Sequence, residues 1–127
     1  MVGDTSAREA VLAANEAFYA AFAGKSFEAM DALWAREAPV ACIHPLGELL
    51  TARDDIMGTW RAILENPEQP RVVGVSEEVT LIGDMAFVVG REFVAGSAIV
   101  VTNIFVREQG AWRMAHHHSS PMVMLVG

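Results

Sequence analysis

Near residue 71 the hydrophobic period of this chain changes, and that change limits what each half can become. Before it, apolar residues recur at helical spacing in three groups: Val11, Ala14, Phe18 and Phe22; Phe27, Met30, Leu33 and Trp34; Ile56, Trp60, Ile63 and Leu64. Beyond it they alternate, as strands do, over roughly 71–82, 84–95, 97–108 and 111–120. Gly83-Asp84, Gly96-Ser97 and Gln109-Gly110 leave only short connections, so the four strands should pair as an antiparallel meander. Helices first and strands afterwards predict an α+β domain with helices packed on one sheet face.

The punctuation of the first half agrees with this division. Ser6 and Glu9 have capping-box spacing and should open the first helix, which Gly24 ends. Ser26 should cap the second, and Pro39 should stop it. Val40 to His44 reads as a short strand closed by Pro45 and Gly47. Thr51 and Asp54 give a further cap signal, and Pro67 and Pro70 end the third helix. A chain of 127 residues with 53% hydrophobic content suits one domain over 1–127 with a single core.

The strand rows contain an anomaly. Met85, Phe87, Val89, Arg91 and Phe93 share one face, which places Arg91 in an otherwise apolar row. Ile99, Val101, Asn103 and Phe105 repeat the pattern, and Trp112, Met114, His116 and His118 repeat it again. Burying such groups is costly unless something pairs with them, so a polar pocket inside the domain is expected. Arg91 could clamp a carboxylate or enolate, or form a structural ion pair. His44 shares the parity of Cys42 and has the pKa range for proton transfer near neutrality; a core histidine bonded to backbone is the plain alternative. Asn103 could donate to an oxyanion or satisfy a neighbour. A β-bulge would swap the parity of the last strand and bring His117 inward in place of His116 and His118. Trp60 and Phe18 are the aromatic residues expected at the pocket wall.

Other features exclude function classes. The net charge is −7 and the nine Lys and Arg residues are scattered, which argues against nucleic acid and anionic membranes. No apolar run approaches the roughly 18 residues of a membrane span, and MVGDTSAREA does not read as a signal peptide. The single cysteine, Cys42, suits a reducing, cytoplasmic setting. It lies near His44, but nothing supplies a third orienting group, so an inert thiol is expected. His44, His116 and His118 could chelate a metal only if all three converged; no metal and no cofactor are expected. The second sheet row, Val88, Val94, Val100, Ile104 and Val106, is also apolar. Either a second copy of the chain covers it or the apolar segment Met122 to Val126 does; a homodimer is expected.

Three helices, a short strand ending in CIHPLG, the helix start Thr51–Trp60, IGDMAFVVGRE and the closing GAWRMAHHHSSP resemble the SnoaL-like branch of the nuclear transport factor 2-like (NTF2-like) superfamily. The resemblance implies a cone: a curved, mostly antiparallel sheet wrapped around three N-terminal helices, with a pocket at the open end. By similarity to ketosteroid isomerase, the catalytic carboxylate before a proline corresponds to His44, the second acid to Asn103, and the catalytic tyrosine to about Phe18, with Tyr19 adjacent. By similarity to the calcium/calmodulin-dependent kinase association domain, a pocket arginine corresponds to Arg91. The implied ligand is a small organic molecule with an anionic or carbonyl oxygen. If catalytic, the protein would move protons next to a carbonyl, as isomerases, cyclases and dehydratases do. His44 would be the base, Arg91 and Asn103 would stabilise the enolate oxygen, and His116 or His118 would orient the ligand. The alternative is a ligand-binding or assembly domain without chemistry.

Overall fold

The computed structural model of the chain describes residues 2–122, with the side chains of residues 2–4 and of Glu77 left out. The apolar segment proposed above as a cover therefore lies, beyond Met122, outside the described residues. The elements follow the order α1 (Val2–Ala23), α2 (Phe27–Leu33), β1 (Ala41–Ile43), α3 (Arg53–Glu65), β2 (Val72–Ile82), β3 (Met85–Val94), β4 (Ser97–Glu108) and β5 (Ala111–Pro121). The fold is the α+β cone that the resemblance implies.

The five strands form one sheet in the order β1-β5-β4-β3-β2. Strands β2 to β5 are the expected meander, and their three hairpins close through two-residue loops. Ala95 and Gly96 both have positive φ, as do Gln109 and Gly110. That is the turn geometry whose twist matches the flanking strands. β1 pairs parallel to β5, setting Cys42 beside His117.

The helix boundaries differ from the sequence expectation in instructive ways. Ser26 does cap α2, its side chain accepting from Ala29 N at 3.1 Å. Ser6 lies inside α1 rather than at its start, and Thr51 precedes an uncapped N-cap, Ala52. α2 stops at Leu33, well before Pro39. Its terminal carbonyls are taken instead by Arg53, whose guanidinium donates to Asp31 O, Trp34 O and Ala35 O. The same group holds the Asp31 carboxylate at 2.8 Å, joining the end of α2 to the start of α3. This link fixes the loop that carries His44.

Two strand faces depart from expectation. In β3 the covered row is Ala86, Val88 and Glu92, while Met85, Arg91 and Phe93 are exposed. Arg91 therefore stands on the outward face. Both rows of β3 are largely apolar, so alternation alone does not choose between them; packing does. Helix α1 lies close over the sheet at Gly74, where a Cβ would meet Tyr19 Cε2 and Cζ at 2.4 Å. Gly74 pairs with Glu92, so the same face of β3 receives Tyr19. In β5, Ile104 pairs with His116 but Phe105 pairs with Met114, leaving Ala115 as an extra residue. This bulge reverses the parity: Met114 and His117 both face the core, and His116 and His118 turn outward. Beside it, Ala35 N donates to Met114 O at 2.8 Å.

The outward face consequently differs in membership from the row named above. Val88 is buried and Val94 faces inward, whereas Val73, Val75, Met85, Phe93 and Val100 are the exposed apolar residues.

Gly74→Ala should cost about 1–3 kcal/mol, because the added methyl overlaps a ring that cannot shorten. Urea denaturation measures this. An unchanged midpoint would show that α1 does not press on the sheet at Tyr19.

Candidate functional site

The inward rows meet the helices around a cavity of about 240 Å³. Phe22, Trp60, Ile63, Val72 and Ile99 supply apolar wall, and His44, Gln69, Glu92, His117 and Ser119 supply its polar groups. A larger hollow of about 530 Å³ lies elsewhere, between Arg8, Leu81, Asp84 and Arg107, and contains none of the candidate residues.

His44 enters from the end of β1. Its ring stands edge-on to Trp60, with centroids 4.8 Å apart and planes at 81°. Nε2 lies 2.9 Å from Thr59 Oγ1, whose hydroxyl hydrogen is already donated to Ile56 O at 2.7 Å. In that arrangement Nε2 donates to Oγ1 and the lone pair lies on Nδ1. Among the described residues no group bonds Nδ1. Burial pulls the His44 pKa below its ordinary value, so the ring is neutral.

Glu92 and His117 face this ring from the sheet. The His117 ring centroid is 6.2 Å from that of His44 and 4.9 Å from that of Phe18. Complete burial holds the His117 pKa well below the usual histidine range, and the neighbouring His44, His116 and His118 add to the effect. Glu92 is only 4% exposed. Burial pushes its pKa up, although hydrogen bonds from Tyr19 and Ser119 partly oppose the shift. Tyr19 Oη donates to Glu92 Oε2 at 2.7 Å. Burial, and then the Glu92 carboxyl, raise the Tyr19 pKa far above the ordinary phenol value. Ser119 Oγ lies 2.8 Å from His117 Nε2 and 3.3 Å from Glu92 Oε1.

The candidate residues thus divide by location. His44 and Trp60 line the cavity. Phe18 is fully buried behind that wall, against Trp60 and His117. Asn103 is inward and 1% exposed, but it sits behind His117, whose Nδ1 it meets at 2.6 Å through Oδ1. Arg91 belongs to the opposite face and does not join the site. His116 and His118 are also outside it, with ring centroids 6.2 Å apart on the outward face. Glu92 and Ser119 are absent from the sequence expectation, and Tyr19 enters it only as the neighbour of Phe18. The signal was present in Ala86 and Gly90, small residues in the Glu92 row that mark where a helix can approach closely.

Cys42 is fully buried with Sγ 3.6 Å from His44 Nε2. Burial, with Glu92 nearby, pushes its thiol up to about 12, which leaves it protonated and inert at neutral pH. Among the described residues no three His, Cys, Asp or Glu side chains gather as a metal site. No described helix is long and apolar enough to cross a membrane.

Comparison with known proteins accords with this fold. The SnoaL-like domain model matches residues 11–124, and the chain belongs to that family. It is similar to the F-box protein SKIP8 of Arabidopsis thaliana, with 32% identity over 118 residues, or 91% of this chain. The chain spans about half that relative's length, 51%. Among solved structures it resembles a proposed dehydratase from the NTF2-like family of Streptomyces avermitilis. They share 28% identity with a TM-score of 0.85, covering 95% of this chain and 99% of the other. It also resembles a proposed calcium/calmodulin-dependent protein kinase type II association domain from Thiobacillus denitrificans. That pair shows 36% identity and a TM-score of 0.79, covering 87% and 94% respectively.

The titrations make opposite demands on stability. His44 and His117 have depressed native pKa values, so their contribution is full above about 6.5. It is lost as pH falls through those native values. Glu92 has a raised native pKa; its contribution is full below the unfolded value and is lost as pH rises through the native one. Thermal midpoints measured from pH 5 to 9 should therefore fall less toward alkaline pH in Glu92→Gln than in the parent. Parallel profiles would mean that Glu92 does not fold as the acid.

Proposed function

We infer that the protein catalyses proton transfer next to a carbonyl in a small uncharged molecule, as isomerases, cyclases and dehydratases do. One observation carries this reading. A neutral histidine whose Nε2 proton is directed at Thr59 shares a cavity with a buried carboxyl whose pKa burial raises. Paired groups whose surroundings push their pKa values apart form an acid and a base. His44 Nδ1 takes a proton from the carbon beside the carbonyl. Glu92 gives its proton to the carbonyl oxygen, and an enol forms between an imidazolium and a carboxylate. When the imidazolium returns its proton to a different carbon, the enol O–H proton goes back to the Glu92 carboxylate, which gives an isomer and restores both groups. Where a neighbouring hydroxyl takes the Glu92 proton instead, it leaves as water.

No arginine or lysine lines the cavity, which favours a carbonyl over an anionic ligand. At about 240 Å³ the cavity is below the roughly 300–1,000 Å³ usual for drug-sized ligands. A single ring or short chain fits that space. The cofactor-independent chemistry needs only groups already present in the chain. A buried, unreactive Cys42 is consistent with a cytoplasmic location.

Hydrogen–deuterium exchange at the α-carbon of small cyclic ketones, followed by NMR, tests the reading. The parent protein should accelerate exchange of at least one ketone in such a panel. His44→Ala should reduce that acceleration by roughly 10²–10⁴-fold. Equal exchange by both proteins would remove His44 from the reaction, and no exchange by either would favour a binding domain without chemistry.

The apolar outward face supports a homodimer, with Val100, Phe93 and Val75 from neighbouring strands contributing to one patch. Light scattering at micromolar concentration should give twice the 13.7 kDa chain mass. Thr102→Arg, which places a charge between Val89 and His118 on that face, should return the monomer. A parent protein that is monomeric at this concentration would overturn the assignment.

A further inference from the structure

The polar groups behind the cavity can be assigned proton by proton. Asn103 Nδ2 donates to Asn15 Oδ1 at 2.8 Å, so the Asn103 carbonyl oxygen is the atom facing His117. His117 Nδ1 must therefore carry a hydrogen. Asn15 Nδ2 donates in turn to Ser76 Oγ at 2.9 Å, which extends the chain of contacts to β2. Ser119 then has one hydroxyl hydrogen and two neighbours, His117 Nε2 at 2.8 Å and Glu92 Oε1 at 3.3 Å.

Two arrangements give each contact one hydrogen. In the first, Glu92 is a carboxylic acid that donates from Oε1 to Ser119 Oγ, and Ser119 donates to the neutral His117. In the second, Glu92 is a carboxylate that accepts from Ser119, and an imidazolium Nε2–H donates to Ser119 Oγ. Both contain the same number of protons. With the hydrogen on Nδ1, a carboxylate beside a neutral His117 would leave Ser119 able to satisfy only one of two facing acceptors, and such a contact is expensive in a buried site.

We propose that Ser119 is a proton relay that makes Glu92 and His117 a single acid–base couple. The Oε1–H bond of Glu92 breaks as an O–H bond forms on Ser119 Oγ. The original Ser119 O–H bond breaks as an N–H bond forms on His117 Nε2. The reverse step restores the neutral pair, and no proton leaves for solvent. Tyr19 donates to Oε2 in both arrangements. The couple's use in turnover rests on the proton-transfer reading above: it lets Glu92 meet a ligand as acid or as base. Its existence does not require a ligand.

The test is NMR titration of the ligand-free protein, with labelled His117 ring nitrogens and Glu92 carboxyl carbon. Other titratable groups near the couple are Tyr19 on α1, Cys42 on the neighbouring strand β1, His44 just beyond its end, and His116 and His118 on the outward side of β5. In the parent, His117 and Glu92 should show the same two macroscopic steps, with Nδ1 protonated throughout. Ser119→Ala should separate them into one step for each residue, and Ser119→Thr should keep them shared. Glu92→Gln should delete the shared step from the His117 signal, and it decides the matter if Ser119→Ala does not fold. A His117 titration unchanged in Ser119→Ala or in Glu92→Gln would overturn the relay. His44→Ala separates the two proposals: it should cut ketone exchange by the factor given above while His117 and Glu92 still share both steps.

Discussion

A carboxyl group on the covered side of a sheet must be answered by its neighbours, and Glu92 is answered from two elements. Tyr19 reaches it from helix α1 and Ser119 reaches it from β5. The helix can come close enough only because Gly74 has no side chain. The distance between the helical layer and the sheet is thus linked to the protonation of one residue. Relaxing the packing would let water reach the carboxyl, and the group would ionise nearer its ordinary range.

The opposite wall depends on a different device. Arg53 takes the carbonyls that end α2 and grips Asp31, so the short helix stops without proline or glycine at its end. The chain then returns through β1 to present His44 against Trp60. Thr59, nearly two turns into α3, accepts from Nε2 and so leaves Nδ1 of His44 as the basic nitrogen. A helix whose own N-cap residue makes no side-chain hydrogen bond is held in place by charge and by the aromatic contacts of Trp60 with Phe18 and Phe22.

Periodicity carried most of the architecture. The meander, its two-residue loops and the inward direction of Asn103 follow from alternation and glycine placement, because a buried face in β4 leaves only one workable parity. Arg91 shows where that logic stops. Its row is apolar, yet the row beside it, Ala86, Val88, Gly90 and Glu92, is equally hydrophobic in pattern and better suited to a close helix. Side-chain size, rather than polarity, separated the two. His117 was accessible only as an alternative, since nothing local in AWRMAHHHSS says which residue will be squeezed out of register. The deciding contact, Ala35 N to Met114 O, joins residues far apart in sequence.

Ala115 gives the last strand an unusual vulnerability. It is the residue that the register leaves over, since Phe105 pairs with Met114 and Ile104 with His116. Deleting it would restore simple alternation and leave His117 and Ser119 on the covered side. Ironing the bulge flat while keeping Ala115 would do the opposite: every residue beyond it would change face, and His116 and His118 would replace His117 and Ser119 toward the cavity. The choice of which histidine lies inside is therefore stored in one unpaired residue of the backbone, not in the histidines themselves.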